Sequence, residues 1–252
     1  MAFDLNNFVI DRIVRGVALS QKDDSVLFSI NQIQNASLNC ASESADAVDA
    51  LGTPIATFYR AKSAEFSAEN ALFDMSLMAT QLGTTKKVAS ADAKLLVPAM
   101  ETFTVKEGGK YELNHTPKVA PTEIYALNGD STFGTKYAKA TAASATEFSI
   151  ADKTISLPTG VTAGTDMFVM YEYETENAVE VVNSATEFPT GCKFVMEVLG
   201  CDVCDQTNLI YAYVIFNNFK LSPDFDWSVA TDGAHPFSGK AQQDLKYRSL
   251  VA

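Results

Sequence analysis

Histidine is nearly missing from this chain: of 252 residues, only His115 and His235 carry an imidazole. Histidine is the side chain whose ordinary pKa suits proton transfer near neutrality, so its scarcity argues against His-driven catalysis. Cysteine is also sparse, with Cys40, Cys192, Cys201 and Cys204. Cys201-Asp-Val-Cys204 has the C-x-x-C spacing of redox motifs and of half a zinc site, but neither a second C-x-x-C nor a C-x-x-H completes a metal set. The motif stands between two strand-like runs, Lys193–Leu199 and Leu209–Phe216, which makes it a hairpin turn with half-buried thiols rather than the start of a redox helix. Positive charge is in deficit: Lys+Arg total 19 against Asp+Glu 31, a net charge of −12. A protein that grips nucleic acid through backbone phosphates needs a cationic surface, so the balance argues against that class. Long apolar runs are missing too. The longest, Leu209–Phe216, falls far short of the ~20 residues that cross a bilayer. Asp4 and Asp11 interrupt the first stretch and no basic residue precedes Arg12, so no secretory signal is read and folding in a cytoplasm is expected. The glycine-loop, zinc-protease and nucleophile-elbow motifs are absent as well.

What is present is strand. Val26–Leu38 alternates, with Val26, Phe28, Ile30, Ala36 and Leu38 on one face and Ser29, Asn31, Asn35 and Ser37 on the other. A stretch of small and polar residues, Asn39–Thr53, follows. Pro54 then opens a second strand-like run to Phe66. A connection that long between strands tends to be functional. Asn70–Leu82 reads as a helix with Ala71, Met75, Met78 and Leu82 on its core face, Ser67 or Asn70 as cap and Gly83 as the left-handed terminator. From about Ala99 the texture changes to short strands, Glu101–Lys106, Lys110–Asn114, Glu123–Leu127, Glu147–Ile150, Thr154–Leu157 and Met167–Thr175, separated by turn residues. This predicts a small Ig-like β-sandwich over 99–182. Longer strands return with Lys193–Leu199, Leu209–Phe216, Phe225–Thr231 and His235–Ala241. The predicted fold is therefore mainly β, with a discontinuous domain of residues 1–98 and 183–252 interrupted by the 99–182 module.

Two acidic groupings and one basic doublet bear on chemistry. Glu172, Glu174 and Glu176 would project from one strand face, where carboxylates hold Ca²⁺ or act as an acid/base pair. A charge-protected edge strand explains them more simply. Asp224 and Asp226 would share one strand face beside Trp227, the single tryptophan, with Asp232 nearby in a turn. That mixture suits sugar binding, but core packing by Trp227 is the plainer account. Lys86-Lys87 is a solvated helix exit. No cofactor or metal site is expected, and an enzyme is not expected.

The order of segments resembles the major tail tube proteins of tailed bacteriophages. The matching parts are the strand Leu27–Leu38, the long connection with Gly52-Thr-Pro54, the strand Ile55–Phe66, the helix Asn70–Leu82 and the closing segments from Leu209 to Phe237. The resemblance implies two packed antiparallel sheets with one flanking α-helix. It further implies six copies in a ring and rings stacked into a tube. Double-stranded DNA and the tape-measure protein would pass through the lumen without specific binding. A tail sheath is an optional outer partner, and no membrane is involved. The location implied is the virion tail, assembled in the host bacterial cytoplasm. If each copy lends four strands to an inner barrel, strands about 4.8 Å apart and tilted about 40° give a barrel roughly 48 Å across, wide enough for a duplex. Two sites are expected. One is an assembly loop, Asn39–Thr53, with Asn39, Glu43, Asp46, Asp49, Gly52 and Thr53, mobile until neighbours order it. The other is a lumen lining of acidic and neutral polar side chains, with Asn31, Asn35, Ser37 and Glu65 as candidates. The 99–182 module is expected on the tube's outside. Alternatives are a capsid or head decoration protein, or a carbohydrate-binding β module.

Overall fold

The computed structural model describes residues 8–203, 205–224, 233–242 and 245–250. In chain order the elements are β1 (Phe8–Ser20), β2 (Val26–Ile30), β3 (Ile33–Val48), β4 (Pro54–Asn70), α1 (Met75–Leu82), β5 (Lys87–Val88), β6 (Leu95–Thr104), β7 (Lys110–Glu112), β8 (Glu123–Leu127), β9 (Phe133–Lys139), β10 (Glu147–Ala151), β11 (Thr154–Ser156), β12 (Asp166–Thr175), β13 (Val179–Glu180), β14 (Cys192–Asp202), β15 (Asp205–Leu221), β16 (His235–Ala241) and β17 (Leu245–Leu250). The mainly β fold with one helix is the expected class. The chain forms two compact units, residues 1–86 with 181–252, and residues 87–180.

In the first unit hydrogen bonding runs through eight strands in the order β2-β1-β14-β15-β16-β4-β3, with β17 also on β15. Strands β4 and β14 are three steps apart, roughly 14 Å in a flat sheet. Yet the rings of Phe66 and Phe194 lie 6.0 Å apart, so the sheet curls over its own core and supplies both layers. Phe28, Phe194, Phe216, Phe219 and Phe237 complete that core around Phe66, with centroid spacings of 5.1–6.3 Å. Such tilted and edge-on contacts add to simple burial. Gly16 of β1 is required here: a Cβ would sit 2.9 Å from the Phe194 ring.

Helix α1 is shorter than its sequence pattern suggests. Asp74, not Ser67 or Asn70, is the cap, and its carboxylate accepts from the N–H of Ser76 and Leu77 at 2.9 and 2.7 Å. Asn70 is the last residue of β4, paired with Ile33 and His235, and residues 71–73 connect strand to helix. Gly83 closes the helix at φ 73°, as its position implied. The buried residues are Leu77, Ala79, Gln81 and Leu82, while Met75 and Met78 are half-buried. Gln81 is polar and so was invisible to a hydrophobic count. It accepts from His235 Nε2 at 2.8 Å and donates to the Pro236 carbonyl, fastening α1 to β16.

The second unit has a seven-stranded sheet, β6-β12-β8-β9-β10-β11-β7, around Phe103, Leu113, Ile124, Phe148, Ile155, Met167 and Val169. It starts and ends before the expected 99–182 bounds. β6 begins at Leu95, and entry and exit are zipped together by Lys87↔Glu180 and Val88↔Val179, with a 3.1 Å ion pair between Lys87 and Glu180. Strand β12 pairs with β6 along its whole length but with β8 only at Met167–Val169. Past the bridge from Glu172 to Val119, its last residues have β6 on one side only among the described residues, as an edge would. Glu174 and Glu176 are ion-paired to Lys118 and Lys94 at 3.1 and 3.2 Å, the solvated arrangement rather than a metal cage.

Candidate functional site: a projecting hairpin and a polar sheet face

The connection Asn39–Thr53 is not a loop. Strand β3 continues through Val48 and β4 starts at Pro54, and the two pair from Ile33↔Asn70 out to Val48↔Pro54. Only Asp49–Thr53 forms the turn. The Asp49 side chain accepts from the N–H of Leu51 and Thr53, each at 2.8 Å, and Gly52 takes φ 82°. Those N–H groups, Thr53 first, hold the Asp49 carboxyl below its usual range. Small polar residues hid the strand from a periodicity argument, because pairing across the hairpin decides it.

Beyond Leu38 and Phe66 this hairpin leaves the core. Nearly every residue from Asn39 to Ser63 is exposed, on both faces. Large apolar side chains stand in the open there: Leu51 is 92% accessible, Tyr59 76%, Ile55 71% and Phe58 56%. A bare two-stranded ribbon is marginal in water. Local pairs support this one: Thr57 donates to Asp46 at 2.7 Å, and Glu43 lies opposite Arg60. The register breaks three times: at Asn35 (φ 52°), at Ala61 (φ 40°) and, near the tip, at Ile55, re-aiming the strands. Strand β3 is also the terminal strand of its sheet. Long exposed edges of this kind are templates for pairing with another chain.

The lumen candidates divide. Ser37 lies opposite Ser67 and Asn39 opposite Glu65, so Ser37, Asn39, Glu65 and Ser67 share the face turned away from the buried Phe66. Asn35 reaches the same face by donating to Glu69 at 2.7 Å. Asn31 stands apart, exposed in the link between β2 and β3. Register adds Lys240, opposite Glu65, and Lys220, opposite Lys240. Lys240 Nζ lies 2.7 Å from Glu65 Oε1. The face is thus polar but balanced, two glutamates against two lysines, where an acidic surplus was expected. Alternation within His235–Ala241 could have shown Ser238 and Lys240 facing away from Phe237.

On the core side, an open groove of about 700 Å³ is lined by Ile10, Ile13, Leu38, Met196, Val198 and Val214, with Asp11 and Arg12 at its rim. Two buried carboxylates have partners. Glu197 accepts from Arg15 and Tyr213 at 2.8 and 2.9 Å. Glu101, in the second unit, accepts from the hydroxyls of Tyr171 and Tyr111 and the N–H of Asn114. Burial, then the bond to Glu101, pushes Tyr111 up to about 12. The C-x-x-C segment is the expected hairpin, with Asp202 opposite Asp205. Cys204 lies outside the described residues, as do Asp226, Trp227 and Asp232. Among the described residues, no cluster of three or more metal-ligating side chains occurs, and no helix is long and apolar enough to cross a membrane.

No individually curated protein matches the chain. A model of the YomU/Tube protein family matches residues 8–245, nearly the whole of it. The chain belongs to the YomU/Tube protein family, a family of phage-associated tube proteins.

Proposed function

We propose that this protein is the major tail tube subunit of a phage, a structural rather than catalytic protein that assembles with itself into stacked rings. The observation that carries the reading is the β3–β4 hairpin: a long ribbon, exposed on both faces, ending a sheet and bearing apolar side chains that none of the described residues covers. Such a ribbon becomes stable and useful when a neighbour covers it, so the expected assembly residues Asn39, Glu43, Asp46, Asp49, Gly52 and Thr53 act as parts of a strand arm, not of a mobile loop. The free edges β2 and β3 are where copies join laterally.

The polar face of Ser37, Asn39, Glu65, Ser67 and Lys240 suits the wall of a conduit for DNA and a tape-measure protein. Its two lysines and two glutamates balance in number, with Lys240 paired to Glu65, so it offers no cationic surplus to hold phosphates and no strong repulsion. In this reading the duplex slides because nothing binds it. Assembly takes place in the host cytoplasm, and the product is part of the virion tail. Negative-stain electron microscopy of the purified full chain tests the proposal. Rings or hollow filaments of constant diameter are expected. A protein that stays monomeric at concentrations well above micromolar refutes it.

A further inference from the structure

The hairpin arm needs a covering surface, and the first unit carries an apolar groove with room for one. We infer that the groove between β1, β3 and β15 receives the hairpin arm of a second copy of this chain, with Phe58 as the side chain that enters it. This rests on the self-assembly reading above and names the surface it uses.

The arm's two faces differ. Phe58 lies opposite Ala45, and Ala56 opposite Ala47, so on this face one large ring stands among alanines. Glu43 and Arg60 form the next pair on the same side. A lone aromatic knob in small surroundings is the shape that fits a hollow, and buried aromatic anchors dominate interfaces. The groove is lined by Ile10, Ile13, Leu38, Met196, Val198 and Val214, and its 700 Å³ exceeds what one ring fills. Ile10 at its mouth is 58% exposed.

The occupant cannot be the same chain's arm. Leu38 lines the groove, and Ala45, opposite Phe58, lies seven residues further along the same extended strand. At about 3.3 Å per residue that places Phe58 roughly 23 Å away, pointing outward on a ribbon with no return. Charge favours another copy. Arg12 and Asp11 stand at the rim, 3.0 Å apart and more than half exposed, and they match Glu43 and Arg60 of an incoming arm sign for sign. One chain therefore carries both the knob and the socket, displaced from one another. That is the head-to-tail arrangement that propagates filaments rather than closing a pair.

The test uses the full chain with Ile10→Cys and Phe58→Cys, singly and together, oxidised after assembly and mapped by mass spectrometry. A 10–58 disulfide between copies is expected in the double variant. In parallel, Phe58→Ala is expected to raise the critical concentration for assembly by about tenfold or more, with Phe58→Leu between it and wild type. Phe58 is exposed in the monomer, so unchanged thermal unfolding of the unassembled chain shows that folding is not the cause. Tubes that form without the 10–58 link, together with wild-type assembly of Phe58→Ala, overturn the groove assignment and leave the tube reading standing. A wild-type chain that never associates overturns both.

Discussion

Excising residues 41–63 and joining Cys40 to Ala64 through an Asn-Gly turn separates folding from assembly. Cys40 and Ala64 already face each other across the hairpin, so a two-residue turn fits the ladder there. The excised segment holds no buried side chain, and only Ala45 in it is half-buried. Monomer stability should then change by no more than about 1 kcal/mol, which is roughly 2–4 °C in Tm for a domain of this size. Assembly should change far more. Val48, Leu51, Ile55, Phe58 and Tyr59 are 54–92% exposed in the monomer. Burying the remainder of each gives about 1 kcal/mol, so the five together offer about 5 kcal/mol per arm before ordering costs. At about 1.4 kcal/mol per decade, losing them weakens association by more than a thousandfold. Circular dichroism of the monomer reads the first quantity, and pelleting with electron microscopy reads the second. Filaments of normal length, or a monomer that no longer folds, would refute the reasoning: the first removes the arm from assembly, the second places it in the core.

Three further outcomes are expected. Gly83→Ala should lower stability by about 3 kcal/mol or more in thermal unfolding, because its Cβ would lie 2.2 Å from the Phe188 carbonyl carbon at a φ of 73°. Burial depresses the His235 pKa, against a smaller opposing pull from Asp74. The unfolded chain therefore binds the proton more readily, so stability is complete above the ordinary value of 6.5 and is lost as pH falls through and below it; His235→Gln should flatten that acid limb in urea titrations at stepped pH. Glu101→Leu should destabilise the 87–180 unit by about 1–3 kcal/mol for each orphaned hydroxyl of Tyr111 and Tyr171, while Glu101→Gln keeps an acceptor and loses less, as read by unfolding followed through tyrosine fluorescence.

Local chemistry alone determined the helix exit, the turn residues and the run of short strands in the middle of the chain. Gly83 ends α1 because only a residue without Cβ takes that φ cheaply, and β8 spans Glu123–Leu127 as its alternation indicated. The charge deficit and the shortage of histidine likewise needed no coordinates. Tertiary structure decided the rest. Strand β1 lacks a clear strand pattern in sequence because bulges at Ile10/Arg12 and Ile13/Arg15 break its alternation. Asn39–Val48 resembles a loop by composition and becomes strand only because the stretch from Pro54 to Glu65 pairs with it. The cap passed to Asp74 once β16 claimed Asn70 for the sheet. The neutrality of the polar face depends on Lys240 meeting Glu65 from a strand 175 positions away. Helix ends and turns are settled by contacts within a few residues, whereas strand pairing, face and charge balance are settled by partners distant in sequence. One chain's sequence prints the first kind of contact and leaves the second to folding.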